Sequence, residues 1–335
     1  MKRRLIAGIL AMSLGTGAAQ AQDITLKLAN FLPPMNGMNA DFMLPWAKDL
    51  ETCSGGKVKV ETFLGGSQLG NPTRLWDSLN AGVVDIASGL SGIPAGQFER
   101  TRIIELPFMA KTAKAATMTL SDMYDEYLAE DFPGVKMLVL HASNANPLHL
   151  AKEHEPTLEG LKGLRLRFPS DSVKQMIEAL NAVPAGMPPG ELYESLERGV
   201  IEGAFIGWDT LQSFKLGEVT EQTVDTNLYT ITFWFAMNQR SYDALPDDVK
   251  VCIDKSSGPI LAAKFGEWWD KWDEGGRNIA EGTNHEVSPL SPEEQAKWEK
   301  ALAPLTAAYL KALEAKGINA RVIYDKMKEK IAEYE

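Results

Sequence analysis

A chain of 335 residues with 34 Lys+Arg against 45 Asp+Glu has a formal net charge of −11, and 44% of it is hydrophobic, 8% aromatic and 24% charged. That composition belongs to a folded protein, and the length to about two domains, because single cores stop growing near ~250 residues. The acid excess, with no basic cluster in the body of the chain, excludes nucleic acid and a polybasic hold on anionic lipid, since both need Lys/Arg patches.

Met1 to Ala21 reads as an export signal. Lys2-Arg3-Arg4 is a positive start, Leu5 to Leu14 an apolar run, and Ala19-Gln20-Ala21 a small-x-small cleavage site. The apolar run is about half of the ~20 residues that a membrane span needs; an uncleaved N-terminal anchor is the alternative. Cleavage after Ala21 removes three positive charges and takes the net charge from −11 to −14. No later stretch is long and apolar enough to span a bilayer, so the expected location is a bacterial periplasm. In that oxidising compartment the pair Cys53 and Cys252 is expected to form a disulfide, the alternative being two inert buried thiols.

In chain order, Ile24 to Phe31 reads as a strand, followed by a helix from about Asn39 to Thr52 that Pro45 must kink or break. Lys57 to Leu64 alternates like a half-buried strand. Asn71-Pro72 has the form of a helix start, opening Thr73 to Asn80, with Gly82 as the stop and Val83 to Ala87 as the next strand. Helix Ala113 to Ala129 and strand Val135 to His141 complete a first α/β pass. A second begins after Pro147. It has strand Leu164 to Phe168, a helix from Ser170 or Asp171 to Asn181, a helix from Pro188-Pro189 to Arg198, and strand Ile201 to Ile206. Leu228 to Asn238 is a long aromatic-rich strand placed to cross between domains. Beyond it the chain is nearly all helix: Pro246 to Lys255, Pro259 to about Glu281, Pro292 to Lys316 and Ala320 to Tyr334. The alternation indicates α/β architecture with mainly parallel pairing.

Catalytic signatures do not appear. G-x-S-x-G, H-E-x-x-H and a completed P-loop are missing; Gly65 and Gly70 have a P-loop spacing, but Asn71-Pro72 stands where Lys-Ser/Thr is required. No CxxC metal spacing occurs, and no cofactor is expected. His141 reads as a polar strand residue, and His149 and His154 as surface loop residues. A secreted hydrolase would have to lack a recognisable motif.

Capture of a small ligand fits better. Arg167 closes a strand before Pro169, where a guanidinium can face an interdomain cleft and fork onto a carboxylate; an interdomain salt bridge is the structural alternative. Aromatics gather at strand ends: Phe31, Phe205, Trp208 and Phe233-Trp234-Phe235.

Seven ordered segments carry a family resemblance: Ser54-Gly55-Gly56-Lys57-Val58 leading to Leu64-Gly65-Gly66-Ser67-Gln68-Leu69-Gly70, Leu79 to Asp85, Glu105-Leu106-Pro107-Phe108, Leu158 to Arg167, Leu192 to Gly203, and Tyr242 to Pro246. Over nearly all of the mature sequence the chain resembles the solute-binding proteins of tripartite ATP-independent periplasmic (TRAP) transporters. The resemblance implies a two-lobed α/β fold with an interdomain cleft, crossing strands and long bracing C-terminal helices. Lobe I would comprise 22–145 and 232–258, and lobe II 146–231 and 259–335. It implies a monomer that carries an organic acid to a two-subunit membrane permease. A sensor that presents the ligand to a membrane receptor is the alternative. Arg167 takes the position of the family's carboxylate-forking arginine, and Arg165 that of a lysine in the motif. The resemblance also places Asn30 and Phe31, the turn Ser88-Gly89-Leu90, and the junction Phe205, Ile206, Trp208, Asp209 at the cleft. Asp209 is the one hint of an assisting metal. The second arginine that sialic-acid-binding relatives carry near Pro147-Leu148 is missing here. With Phe31, Leu90, Pro189, Ile206 and Trp208 as walls, an aromatic or short aliphatic monocarboxylate is expected, Trp208 covering its ring or chain.

Overall fold

The computed structural model describes residues 24–335, so the expected signal peptide lies outside the described residues. Among these, the strands are β1 (Ile24–Asn30), β2 (Val58–Phe63), β3 (Ile86–Leu90), β4 (Val135–Ala142), β5 (Leu148–Leu150), β6 (Arg165–Phe168), β7 (Val183–Gly186), β8 (Gly203–Phe205), β9 (Gln222–Asp225), β10 (Thr232–Asn238) and β11 (Glu286–Pro289). They form two sheets, ordered β2-β1-β3-β10-β4 and β11-β9-β5-β8-β6-β7. Each sheet is the centre of one lobe.

Pairing is mixed rather than mainly parallel. β1 with β2 and β3, β6 with β7 and β8, and β9 with β11 are parallel. β10 is antiparallel to β3 and β4, and β5 to β8 and β9. The cause is the crossing. β10 arrives from the other lobe and inserts between β3 and β4, reversed relative to both. The crossing itself is made by 143–146 and 229–231, which lie side by side: Ser143 N–H donates to Ile231 O (3.0 Å) and Asn146 N–H to Tyr229 O (2.8 Å).

Local chemistry explains most element ends. Pro45 lacks an N–H, and the turn before it, Met38–Met43, widens to π-helical bonding before the regular helix Leu44–Cys53. Asn71 does not cap a helix. Its Oδ1 accepts from the nearby Thr73 N–H (3.0 Å), and the helix starts later, at Leu75–Ala81, ending at Gly82 in the left-handed region. The strand expected at Val83–Ala87 therefore runs at Ile86–Leu90, leaving Val83 exposed.

Helix Ala113–Met123, capped by Thr112, buries Ala113, Ala115 and Ala116, small side chains that let two further helices pack closely. These are Phe265–Glu281 and Ala320–Tyr334. The C-terminal helix thus lies in the first lobe, with Ala320, Ile323, Met327 and Ile331 in its core, although the sequence pattern assigns 259–335 to the second. Helix Pro292–Glu314 straddles the division: Trp298 and Leu302 enter the second core, Leu310 and Leu313 the first.

Phe265–Glu281 is the brace. Its first half sets Phe265, Trp269 and Trp272 into the first core, and its second half puts Ala280 against the second lobe. Gly276 allows that approach, since a Cβ there would meet Trp208 O at 1.8 Å. Cys53 and Cys252 form a disulfide with Cα atoms 5.9 Å apart, tying helix Leu44–Cys53 to Asp247–Lys255. Among the described residues, no helix is long and apolar enough to cross a membrane.

Candidate functional site

The lobes meet over a cavity with about 490 Å³ of empty volume, walled by Phe31, Leu90, Ile206, Phe214, Ile231, Phe233 and Trp269, with Arg167, Asn146, Asp209, Ser143 and Thr210 as its polar residues. Outside it lies a wider cleft of about 1570 Å³ between the loop from Gly65 to Pro72 and the segments around Pro188 to Tyr193 and Ser213 to Glu218. Phe31, Pro189 and Phe214 border both spaces and stand where one opens into the other.

Arg167 sits at the third residue of β6, opposite Ala185 of β7 and Ala204 of β8. Two methyl-sized neighbours leave room for a long side chain, which reaches the cavity wall. It is only 2% exposed, yet among the described residues it has no carboxylate partner; Nε donates to Met187 O at 3.3 Å. Burial pushes its guanidinium down to about 10, because removing a cation from water without an anion is costly. Arg165, the first residue of the same strand, is exposed and pairs with Glu202 at the surface.

Lobe-to-lobe contacts hold this cavity closed. Asn36 Nδ2 donates to Asp209 Oδ2 (3.0 Å) and to Ser213 Oγ (3.1 Å), and Arg102 Nη2 donates to Ser172 Oγ (2.5 Å). Burial pushes the Asp209 carboxyl up to about 6. Asp273, on the brace, rises to about 7, first from burial and then from the Asp209 charge, while Asn144 Nδ2 donates to it at 2.9 Å.

Of the residues expected at the cleft, Phe31, Leu90, Arg167, Ile206 and Pro189 line the cavity. Four others stand behind the wall. Asn30 turns its amide to Leu32 N–H (2.6 Å) and the Met43 sulfur (3.0 Å). Gly89 is glycine because the Trp234 ring fills the place of a Cβ, 2.4 Å away. Phe205 packs edge-on to Tyr229. Trp208 lies beneath the Arg277 guanidinium, 4.2 Å from its ring centre, with His149 at its edge, and does not line the cavity. His149 is no surface residue: it is buried on β5, its Nδ1 2.7 Å from Thr223 Oγ1.

Asn146, Phe214, Ile231 and Trp269 were not expected at the site. The available signal was the polar run Ser143-Asn144-Ala145-Asn146-Pro147, which interrupts two strand-like segments where the chain changes lobes. Among the described residues, no cluster of three His, Cys, Asp or Glu is placed to hold a metal ion, Asp209 included.

This arrangement can enclose a small organic anion: apolar walls exclude water, and a buried guanidinium lacks a counter-charge. The profile described as "Bacterial extracellular solute-binding protein, family 7" (DctP) matches residues 30–312, and the chain belongs to that family. It is a family of periplasmic solute-binding proteins of TRAP transporters, which bind small ligands and work with membrane permeases. A TRAP solute-binding protein of Rhodoferax ferrireducens, solved with copurified benzoate, is 29% identical, with a TM-score of 0.88 over 93% of this chain and 98% of that one. Another, from a marine metagenome and described as specific for aromatic acid ligands, was co-crystallised with 3-hydroxybenzoate; it is 31% identical, with a TM-score of 0.89 over 94% and 99%. "Outer membrane transporter protein TsaT" of Comamonas testosteroni is 26% identical over 97% of this chain and 96% of its own length.

Proposed function

We propose that this protein is exported, loses residues 1–21, and captures an aromatic monocarboxylate, or failing that a short aliphatic one, for delivery to a TRAP permease. The observation that carries the reading is Arg167: a buried guanidinium with no anionic partner among the described residues, set in a largely apolar wall. The benzoate and 3-hydroxybenzoate in the two similar solved structures support the same chemical class.

Ligand enters through the outer cleft and passes Phe31, Pro189 and Phe214. Its carboxylate then forks onto Arg167, supplying the missing charge, while its apolar part packs on Phe233, Ile231 and Trp269. The closed form is favoured only by contacts that the open form lacks, here Asn36 with Asp209 and Arg102 with Ser172. The closed surface is what a permease recognises. The mature charge of −14 repels anions overall, so attraction is local to Arg167.

A thermal-shift screen of refolded, ligand-free mature protein against aromatic and aliphatic carboxylates tests this. Ligand at a hundred times its Kd contributes about 2.7 kcal/mol, which at about 2–4 °C per kcal/mol raises Tm visibly. Arg167→Ala should abolish the shift while folding normally, with a loss of about 10²-fold or more in affinity. Undiminished binding by that variant would falsify the assignment.

A further inference from the structure

Besides Arg167, one more group in the cavity is chemically incomplete. Asn146 is 1% exposed, and its Oδ1 has no hydrogen-bond partner among the described residues. Its orientation is fixed by the other half of the amide, because Nδ2 donates to Ser143 Oγ (3.1 Å) and to Tyr229 O (3.2 Å). Turning the amide over would set oxygen against the Tyr229 carbonyl, so the unpaired atom is the acceptor. That acceptor faces Gly207. A methyl group there would lie 3.4 Å from Asn146 Oδ1 and 2.8 Å from Asp209 Oδ1, so the missing side chain leaves a space flanked by two acceptor oxygens. Asp209 Oδ2 is engaged by Asn36 and Ser213, whereas its Oδ1 accepts no bond among the described residues. Asn146, Gly207 and Asp209 all border the cavity.

An unpaired buried acceptor costs stability unless something donates to it. We propose that the ligand carries, besides its carboxylate, one hydroxyl that donates to Asn146 Oδ1 in the space over Gly207, so that this asparagine selects hydroxylated over unsubstituted aromatic acids. The inference rests on the aromatic-acid reading and adds the second polar group of the ligand. A hydroxyl suits the site better than an ammonium. Asn146 is neutral, and a second cation in a cavity that already encloses Arg167 would add charge where burial penalises it. A polyol suits it less, since most of the remaining wall is apolar and offers few partners for further hydroxyls.

The test measures Kd by calorimetry on the refolded mature chain. Ligands are benzoate and phenylacetate, each of their ring-hydroxyl isomers, and the corresponding methyl ethers, which keep the oxygen but cannot donate. Proteins are the unaltered chain, Arg167→Ala, Asn146→Ala and Gly207→Ala. Gly207 lies outside the left-handed region, so alanine there fills the space at the cost of a shift in the Asp209 carboxylate, 2.8 Å from the new methyl, and it stands in if Asn146→Ala disturbs the lobe crossing.

The expected result is that at least one hydroxyl isomer binds about tenfold or more tighter than its parent acid. Its methyl ether should lose that advantage. The hydroxyl-to-parent ratio should fall to near one in Asn146→Ala and in Gly207→Ala, whatever their absolute affinities. If the parent acid binds through Arg167 as tightly as every hydroxyl isomer, water satisfies Asn146, and this inference falls while the aromatic-acid reading stands. A hydroxyl preference that survives in both variants also overturns it. No binding by any aromatic acid of the series overturns both this inference and the aromatic-acid reading.

Discussion

Two arginines are buried where the lobes meet, and they have opposite surroundings. Arg102 is 6% exposed, and its Nε donates to Glu105 Oε2 at 3.0 Å; Glu105 also accepts from Thr232 N–H (3.0 Å) and from the Thr232 hydroxyl, at the start of β10. Arg167 is 2% exposed and has only the Met187 carbonyl. The first cation has its anion within the chain and within its own lobe, whatever the cleft contains. The second has its countercharge missing from the chain, and an anion from solution completes it. Burial alone therefore does not distinguish a structural charge from a receptor; the partner does.

The sharpest way to break this comparison is to remove the partner that exists. Glu105→Gln keeps the size and one acceptor for Thr232 but leaves Arg102 buried and unpaired. The expected loss is about 3–5 kcal/mol, or about 6–20 °C in Tm. Arg167→Met removes a charge that is already unpaired, so calorimetry of the ligand-free protein should show Tm unchanged or raised. An equal loss in both variants would make Arg167 a structural residue.

A second test separates stability from capture. The Cys53–Cys252 bridge joins two helices of the first lobe that lie 199 residues apart in sequence, away from the cavity. Replacing both cysteines by alanine should cost about 2–5 kcal/mol, by freeing the unfolded chain. Ligand affinity measured below the transition should stay within about twofold, because the bridge makes no differential contact between open and closed forms. A large affinity change would mean that the first lobe is not one rigid body during closure.

Legibility in the sequence follows the same division between lobes. The first sheet is built on strands of five to eight residues, long enough for alternation or a buried run to show, and four of its five strands were read close to place. In the second all six strands have three or four residues; β6 and β8 lie in longer strand-like runs that still show, whereas β5, β9 and β11 do not, and β7 is Val183-Pro184-Ala185-Gly186, a composition that signals a turn. Their strand character comes from neighbours, not from pattern. The reversal of β10 is likewise a property of topology. At the site, Arg167 was legible because it stands near the end of a short strand before Pro169, at the position of the family's carboxylate-forking arginine. Asn146 was not: one amide in a polar run acquires meaning only when 229–231 comes alongside and uses its nitrogen. Trp208 misled for the converse reason, since an aromatic at a strand end has two faces, and here Arg277 and the brace occupy its surroundings.

The smallest expected effect concerns the brace. Burial raises both Asp209 and Asp273, to about 6 and about 7, and the Asp209 charge adds to the rise at Asp273. A carboxyl whose folded value lies above its unfolded value near 3.8 binds its proton more tightly in the native state. Its favourable contribution is therefore complete below about pH 4 and is lost as pH rises to about 7. Asp273→Asn has no proton to lose, retains an acceptor for Asn144, and leaves Asp209 beside a neutral group. Its stability should match the unaltered chain near pH 4 and exceed it above pH 7, by on the order of 1–3 kcal/mol. Denaturant unfolding at both pH values measures the difference. A variant that is less stable at pH 8 would show that the Asp273 charge is balanced by Arg277 and Asn144, and that the brace, unlike the Arg167 cavity, holds no unpaired charge.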